Sequence, residues 1–337
     1  MRNWRNELEV WLAPFLVALG HKARERMCPA YIAGLIGPGE RKSVQPMAAR
    51  LGEDNYDRLH HFISSGVWDA KPLETVLLAE ADRMVGGAKA WLIIDDTSLP
   101  KKGIHSVGVS PQYASALGKN ANCQTLVSLT LASDEVPIMI GLRLFLPEIW
   151  TSDPERLDRC GVPELLRNYR TKPEIALEEI DRVRGCGVRF GCVLADAGYG
   201  LSSSFRQGLS NRDLSWAVGI PSKQKVYPAD VEMTFPIAGR GRPRKRHIPN
   251  VKSCSANVML QTANWRTISW RRGTKGKLAA RFAALRVRVA DGPPQRIHDM
   301  GAQHLPGEEV GSRFGRWWCS NHAGADPVVR EEVVPDR

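Results

Sequence analysis

Three carboxylates in two short motifs are the residues best placed to do chemistry. Asp95 and Asp96 follow the apolar run WLII, and Asp196 follows CVLA. An apolar run closing on an acid has the form of a buried strand that delivers a carboxylate to the edge of a sheet, where open α/β sheets gather their ligands. Two such acids brought together repel in apolar surroundings, and a hard divalent cation such as Mg²⁺ or Mn²⁺ removes the repulsion. Two ions held this way activate a water or a 3′-hydroxyl against a phosphodiester and stabilise the departing oxygen. An acid after a strand also serves as a turn former or helix N-cap. The elements around the motifs have to decide between these roles.

Those elements are predicted as follows. Ala90 to Asp95 reads as a buried strand, and Cys123 to Ala132 and Val136 to Leu146 as two more, joined by the turn-like Ser133-Asp134-Glu135. Thr171 to Gly187 carries the marks of a helix: Thr171 as N-cap, Glu174 completing a capping box, Pro173 in the first turn, Ile180 and Val183 inward, and Gly185 and Gly187 at the stop. Phe190 to Asp196 is a fourth strand, Phe205 to Leu209 lies in a helix-like segment, and Leu214 to Ile220 is a fifth strand. A three-strand meander followed by helix, strand, helix and strand is the ribonuclease-H-like order, an α/β mixed sheet with flanking helices. In that order the first and fourth strands are neighbours, which sets the two acid motifs side by side.

Upstream, residues 1 to 86 read as helical. Trp4, Leu8, Trp11, Leu12 and Phe15 recur on one face, as do Tyr56, Leu59, Phe62 and Ile63. The punctuating segment GLIGPGERKSVQP contains the basic Arg41 and Lys42. A compact helical module with exposed cations suits DNA binding, although a helical core with solubilising charge accounts for the same residues equally well.

The 337 residues carry 47 Lys and Arg against 36 Asp and Glu, a formal charge of +11, and the excess is concentrated. From Pro236 to Ala290 there are fourteen Lys and Arg residues, among them Arg240, Arg242, Arg244, Lys245, Arg246, Arg271, Arg272 and Lys275, and no Asp or Glu. Such a block repels itself unless a polyanion neutralises it, and the phosphate backbone of double-stranded DNA is the commonest candidate. A solvated basic surface is the plainer alternative. GRGRPRKR, Gly239 to Arg246, has the Arg-Gly-Arg-Pro core of a minor-groove hook. Trp265, Trp270 and Phe282 interleave with the cations and suit stacking on an unpaired base, or a strand core.

With 43% hydrophobic residues, the chain excludes collagen-like and wholly disordered classes. No apolar run approaches the roughly 18 to 20 residues of a membrane span; Trp11 to Gly20 contains Pro14, and Glu7 and Glu9 stand where a signal peptide would be basic. Seven scattered cysteines without a Cys-x-x-Cys pair point to reduced thiols and a cytoplasmic location. Cys319 and His322 have ligand-like spacing, but no second pair completes a zinc site.

Longer stretches carry a resemblance. IIDDTSLPKKGIHSVGVSPQYASALGKNANCQTLVSLTLA, GVPELLRNYRTKPEIALEEI and VLADAGYG, with RKSVQPMAARL and YDRLHHFISSGVWD upstream, resemble the DDE transposases of bacterial insertion sequences, in the branch that cuts through a hairpin intermediate. The resemblance runs from about residue 20 to about residue 310. It implies Asp96 as the first catalytic carboxylate with Asp95 beside it, Asp196 as the second, and Mg²⁺ or Mn²⁺ held by Asp96 and Asp196. Lys101 and Lys102 become phosphate contacts, or remain ordinary surface lysines; His105 in the same loop matches the motif without acquiring a role. The implied partners are transposon ends and target DNA, with a homodimer allowed in the DNA complex. The implied domains are a helical N-terminal domain over 1–86, a catalytic domain over 87–310 with a basic β-rich insertion at about 222–290, and a tail over 311–337.

The family site also needs a third carboxylate, a Glu on a helix beyond the insertion. The tail GSRFGRWWCSNHAGADPVVREEVVPDR has neither helical nor strand period and looks like a frameshifted read-through, and Glu308, Glu309, Glu331 and Glu332 sit on no convincing helix. The expectation is a truncated transposase, catalytically inactive as it stands. The alternatives are a non-catalytic DNA-binding protein that occupies element ends and inhibits the intact enzyme, and a sequence-unspecific ribonuclease-H-like nuclease.

Overall fold

A computed structural model of the chain describes residues 4–51, 56–64, 69–114, 117–134, 136–234, 247–274, 276–291, 298–304 and 316–320. The chain divides into two compact units, Met1–Met84 with Val183–Val188, and Val85–Arg182 with Arg189–Arg337.

The first unit is helical: α1 (Trp4–Leu19), α2 (Lys22–Ile36), α3 (Val44–Leu51), α4 (Tyr56–Ser64) and α5 (Lys71–Val85). Met27, Ala48 and Leu59 form a buried cluster under Tyr31, Val44 and Phe62, so α2, α3 and α4 share one core. The faces differ from those expected. On α1 only Leu12 and Leu19 are buried, whereas Trp4 and Trp11 are exposed, and on α4 Leu59 is buried while Tyr56 and Ile63 are exposed. Apolar residues run nearly all round α1, so periodicity alone could not choose its buried stripe. The helix continues through Pro14, as the run of one face from Trp11 to Phe15 expects.

The second unit is built on a mixed sheet. Its first strands are β1 (Trp91–Pro100), β2 (Ser110–Ala114), β3 (Lys119–Ser133) and β4 (Val136–Leu144). Short helices α6 (Glu148–Thr151) and α7 (Pro154–Arg159) lead to α8 (Lys172–Gly185), β5 (Cys192–Ala195), α9 (Ala197–Gly200), α10 (Ser203–Asn211) and β6 (Trp216–Gly219). β4 and β1 flank β3 in antiparallel pairing, and β1, β5 and β6 run parallel in that order. This is the ribonuclease-H-like arrangement read from the sequence. Its core holds the fully buried Leu92, Leu129, Leu131, Ile180, Val193, Phe205, Leu209, Trp216 and Val218. The α8 start follows the capping box: the Thr171 backbone N–H and hydroxyl both donate to Glu174 Oε2, at 2.7 and 2.8 Å.

Beyond β6 the sheet continues. β7 (Lys225–Pro228), β8 (Met233–Thr234), β9 (Ile248–Pro249), β10 (Cys254–Ser255), α11 (Ala256–Met259), β11 (Arg266–Gly273), β12 (Gly276–Val289), β13 (His298–His304) and β14 (Arg316–Ser320) complete the described chain. β14 lies between β13 and β6, antiparallel to both. A strand therefore stands in the tail, where the sequence showed no strand period. Sandwiched between two partners, Arg316–Ser320 gains its ladder from tertiary pairing, and a two-partner strand does not need alternation. β2, between the first two strands expected from the sequence, is likewise held by the long β3.

All seven cysteines are free, and only Cys186 is exposed. Burial pushes the Cys192 thiol up to about 11, partly offset by the backbone N–H of Ala217. At pH 8 its thiolate fraction is then about one in a thousand. A thiol reagent added to the native protein is expected to modify Cys186 first and to spare Cys192, Cys123 and Cys319, as peptide mapping would read. Early labelling of Cys192 would contradict the packing of β5.

Candidate active site

The acids are brought together by the pairing of β1 with β5. The parallel register runs from Trp91 opposite Cys192 to Ile94 opposite Ala195 and stops there. Asp95 and Asp96 follow on β1, and Asp196 follows β5 directly, so all three emerge where β5 ends. One detail differs from the expected strand ending in acid: β1 does not end at Asp95 but runs on to Pro100, paired with β3 as far as Cys123. The 15-residue β3 offers partners after β5 has run out. The acids thus occupy a step in the sheet, where β1 still pairs with β3 and no longer with β5.

Asp196 caps α9. Its Oδ1 accepts from the backbone N–H of Gly198 at 2.9 Å and of Tyr199 at 3.3 Å. The turn is pressed against β6: a Cβ at Gly200 would stand 1.8 Å from the Gly219 carbonyl oxygen, and one at Gly219 2.6 Å from the Ala197 nitrogen. Neither approach tolerates a side chain, and the contact fixes where Asp196 and Tyr199 stand. Asp196 therefore fills the plain N-cap role as well as facing the other acids; the two roles are compatible.

Asp96 is engaged on both oxygens. The buried Tyr199 hydroxyl donates to Oδ1 at 2.6 Å, and the Lys172 ammonium, from the first residue of α8, lies 2.5 Å from Oδ2. Asp95 Oδ1 accepts the Asp96 backbone N–H at 2.7 Å, and the Ser128 hydroxyl donates to the Asp95 carbonyl at 2.9 Å. Sequence reasoning missed Tyr199 and Lys172. Tyr199 lies within the ADAGYG motif three residues after Asp196, a spacing that places it on the first turn beyond the cap.

The charges act on one another. Desolvation raises the Asp196 carboxyl above its ordinary value, the N–H groups of Tyr199 and Gly198 work against this, and the charges of Asp95 and Asp96 add to the rise. The Tyr199 phenol is pushed far up by burial and by the same three carboxylates, so it stays a donor. A folded-state rise means that the native chain holds this proton more tightly than the unfolded one. The contribution to stability is full in acid, below the ordinary carboxyl value, and is lost as pH rises through the raised native value. Asp196→Asn keeps the N-cap acceptor. At pH 7 in chelator it is expected to raise the melting temperature by roughly 1 to 3 °C, with the gain vanishing below about pH 4. Unchanged or lower stability at pH 7 would contradict the crowding of charge.

Asp95 and Asp96 thus lie close enough for their charges to act on Asp196, and the Lys172 ammonium pairs with Asp96. Among the described residues no group of three or more His, Cys, Asp or Glu stands in ligating arrangement. Glu308, Glu309, Glu331 and Glu332 lie outside the described residues.

Lys101, Lys102 and His105 are exposed in the loop after β1, with Lys101 about 17 Å along the strand from Asp96 at the usual rise per residue. Arg240, Arg242, Arg244, Lys245, Arg246 and Lys275 lie outside the described residues. Arg271 belongs to β11, and Arg272 is exposed on the same strand, opposite Lys277 of β12. Arg266, Lys277, Arg281 and Arg286 are exposed on this hairpin too, and Arg281 lies 5.8 Å from the Trp265 ring centroid.

The sheet is ribonuclease-H-like, with acids of two neighbouring parallel strands at one step. The chain belongs to the DDE superfamily endonucleases, whose family model matches residues 14–277. It is also 32% identical over 194 residues to a probable transposase for insertion sequence element IS701 from Microchaete diplosiphon. That alignment covers 57% of this chain and 48% of the relative, so the chain spans about half the length of the curated relative it matches. Endonucleases of this superfamily depend on a divalent metal and act on DNA. Among the described residues no helix is long and apolar enough to cross a membrane.

Proposed function

We propose that the protein is an insertion-sequence transposase whose site for DNA strand cleavage and transfer is built on Asp96 and Asp196, with Asp95 beside them. The observation that carries the reading is the β1/β5 register, which ends where the three acids begin. Mg²⁺ or Mn²⁺ is the ion that Asp96 and Asp196 would hold, supplying an activated oxygen nucleophile and a counter-charge for the leaving oxygen. Tyr199 orients Asp96 through its hydrogen bond, and the Asp196 cap keeps the second carboxylate at a fixed distance from the sheet.

The substrate in this reading is double-stranded DNA at the element's ends and at the target. The cations of β11 and β12, those of the sequence GRGRPRKR at 239–246, and Lys101 and Lys102 supply phosphate contacts, and a homodimer assembles on the DNA. The domains are those of the sequence reading: residues 1–86 for DNA binding, 87–310 for catalysis, and a basic insertion at about 222–290. A second reading is favoured by one observation, the lack of a three-ligand group among the described residues. In it the chain binds element ends without cutting them and competes with the intact enzyme. Incubation with Mg²⁺ or Mn²⁺ and a DNA carrying the element's ends separates the two. Cleavage abolished by Asp96→Ala establishes the enzyme; binding without cleavage, unaltered by Asp96→Ala, establishes the inhibitor.

A further inference from the structure

We infer that Lys172 is an internal counter-ion that gives up Asp96 to the metal and, once displaced, carries its charge to a phosphate of the bound DNA. The inference rests on the proposed metal site and adds a residue that neither the sequence motifs nor the family description assigns.

The argument begins with an oddity of sequence. Lys172 is the first residue of α8, where the partial positive charge of a helix N-terminus disfavours a cation and favours an acid. The capping box of Thr171 and Glu174 fixes the helix start, so the lysine is held at this position. Its ammonium reaches across to Asp96 Oδ2 at 2.5 Å and sits 5.6 Å from the Phe145 ring centroid. Both side chains keep roughly a quarter of their surface exposed, 27% for Lys172 and 28% for Asp96. The pair is partly open to water, and joining α8 to β1 does not by itself call for a cation at the helix N-terminus.

Competition does explain it. A divalent ion held by Asp96 would compete with the ammonium for the same carboxylate, since two cations on one carboxylate repel. The Tyr199 donor is buried and stiff, and it occupies the other oxygen, so it remains in place. The lysine is the partner able to leave, because its four-carbon stem rotates without disturbing the helix. Its root stays at the same edge of the sheet. The displaced ammonium is therefore confined to the neighbourhood in which a DNA phosphate would meet the carboxylates, and metal entry and phosphate contact become coupled through one side chain.

The test uses the full chain and Mn²⁺ titration followed by electron paramagnetic resonance, first without DNA and then with an unrelated duplex. Lys172→Met is expected to bind Mn²⁺ roughly tenfold more tightly than wild type without DNA, because the competing charge is gone. Lys172→Arg keeps the charge and is expected to remain near wild type. The duplex is expected to tighten Mn²⁺ binding in wild type, and to do so several-fold less in Lys172→Met. Unchanged or weaker Mn²⁺ binding by a folded Lys172→Met, judged by its melting curve, overturns the competition. Tighter binding with undiminished coupling to DNA overturns the phosphate contact. Failure of the underlying metal site is a separate result: Asp96→Asn would then leave Mn²⁺ binding untouched.

Discussion

Asp96→Ala is expected to weaken Mn²⁺ binding at least about 100-fold, as large an effect as any single change in the protein. The carboxylate lies at the step in the sheet beside Asp95 and Asp196, and no neutral group nearby can replace a charged oxygen toward a dication. Asp196→Ala should lose as much and in addition remove the cap of α9, at a cost of about 1 kcal/mol. Tyr199→Phe leaves the ligands intact and deletes only the 2.6 Å hydrogen bond that orients Asp96. Its loss should be smaller, on the order of 10-fold. Equilibrium dialysis with Mn²⁺ checks all three, and equal affinities for wild type and Asp96→Ala would remove Asp96 from the site.

The second large effect concerns DNA. Changing Arg240, Arg242, Arg244, Lys245 and Arg246 together to Ala removes five of the fourteen unopposed cations between Pro236 and Ala290. If three to five of them neutralise phosphates, the slope of log affinity against log salt should fall by about 3 to 4.5, and affinity near 0.15 M salt should fall on the order of 100-fold. Fluorescence anisotropy with a labelled duplex at several salt concentrations measures both quantities. Binding that matches wild type at every salt would confine the interface to other cations, such as those of the β11–β12 hairpin.

Much of this fold was legible because buried parallel strands announce themselves as short apolar runs. WLII, CVLA and WAVG are the strands β1, β5 and β6, and their chain order together with the capping box at Thr171 gave the sheet its topology. What escaped depended on partners distant in sequence. The continuation of β1 through Thr97–Pro100, the strand β2 and the tail strand β14 have weak patterns of their own and exist because a neighbour supplies the ladder. The helices of the first unit were legible as helices, but not in their faces, since α1 is apolar on almost every side. The carboxylates were legible because each follows an apolar run. Their partners were not: Tyr199 and Lys172 lie 103 and 76 residues from Asp96, and only the folded sheet brings them to it.

A divalent metal shared by Asp96 and Asp196 would sit beside both strands. Fe²⁺ placed in such a site, with ascorbate and peroxide, generates hydroxyl radicals that cut the polypeptide beside the ion. Mass spectrometry of the fragments should find two clusters of cuts in the wild-type chain, one at residues 95–97 and one at 196–199, both suppressed by excess Mg²⁺ and both absent from Asp96→Ala. Cuts at only one of the two strands, or the same pair surviving in Asp96→Ala, would contradict a metal held jointly by β1 and β5.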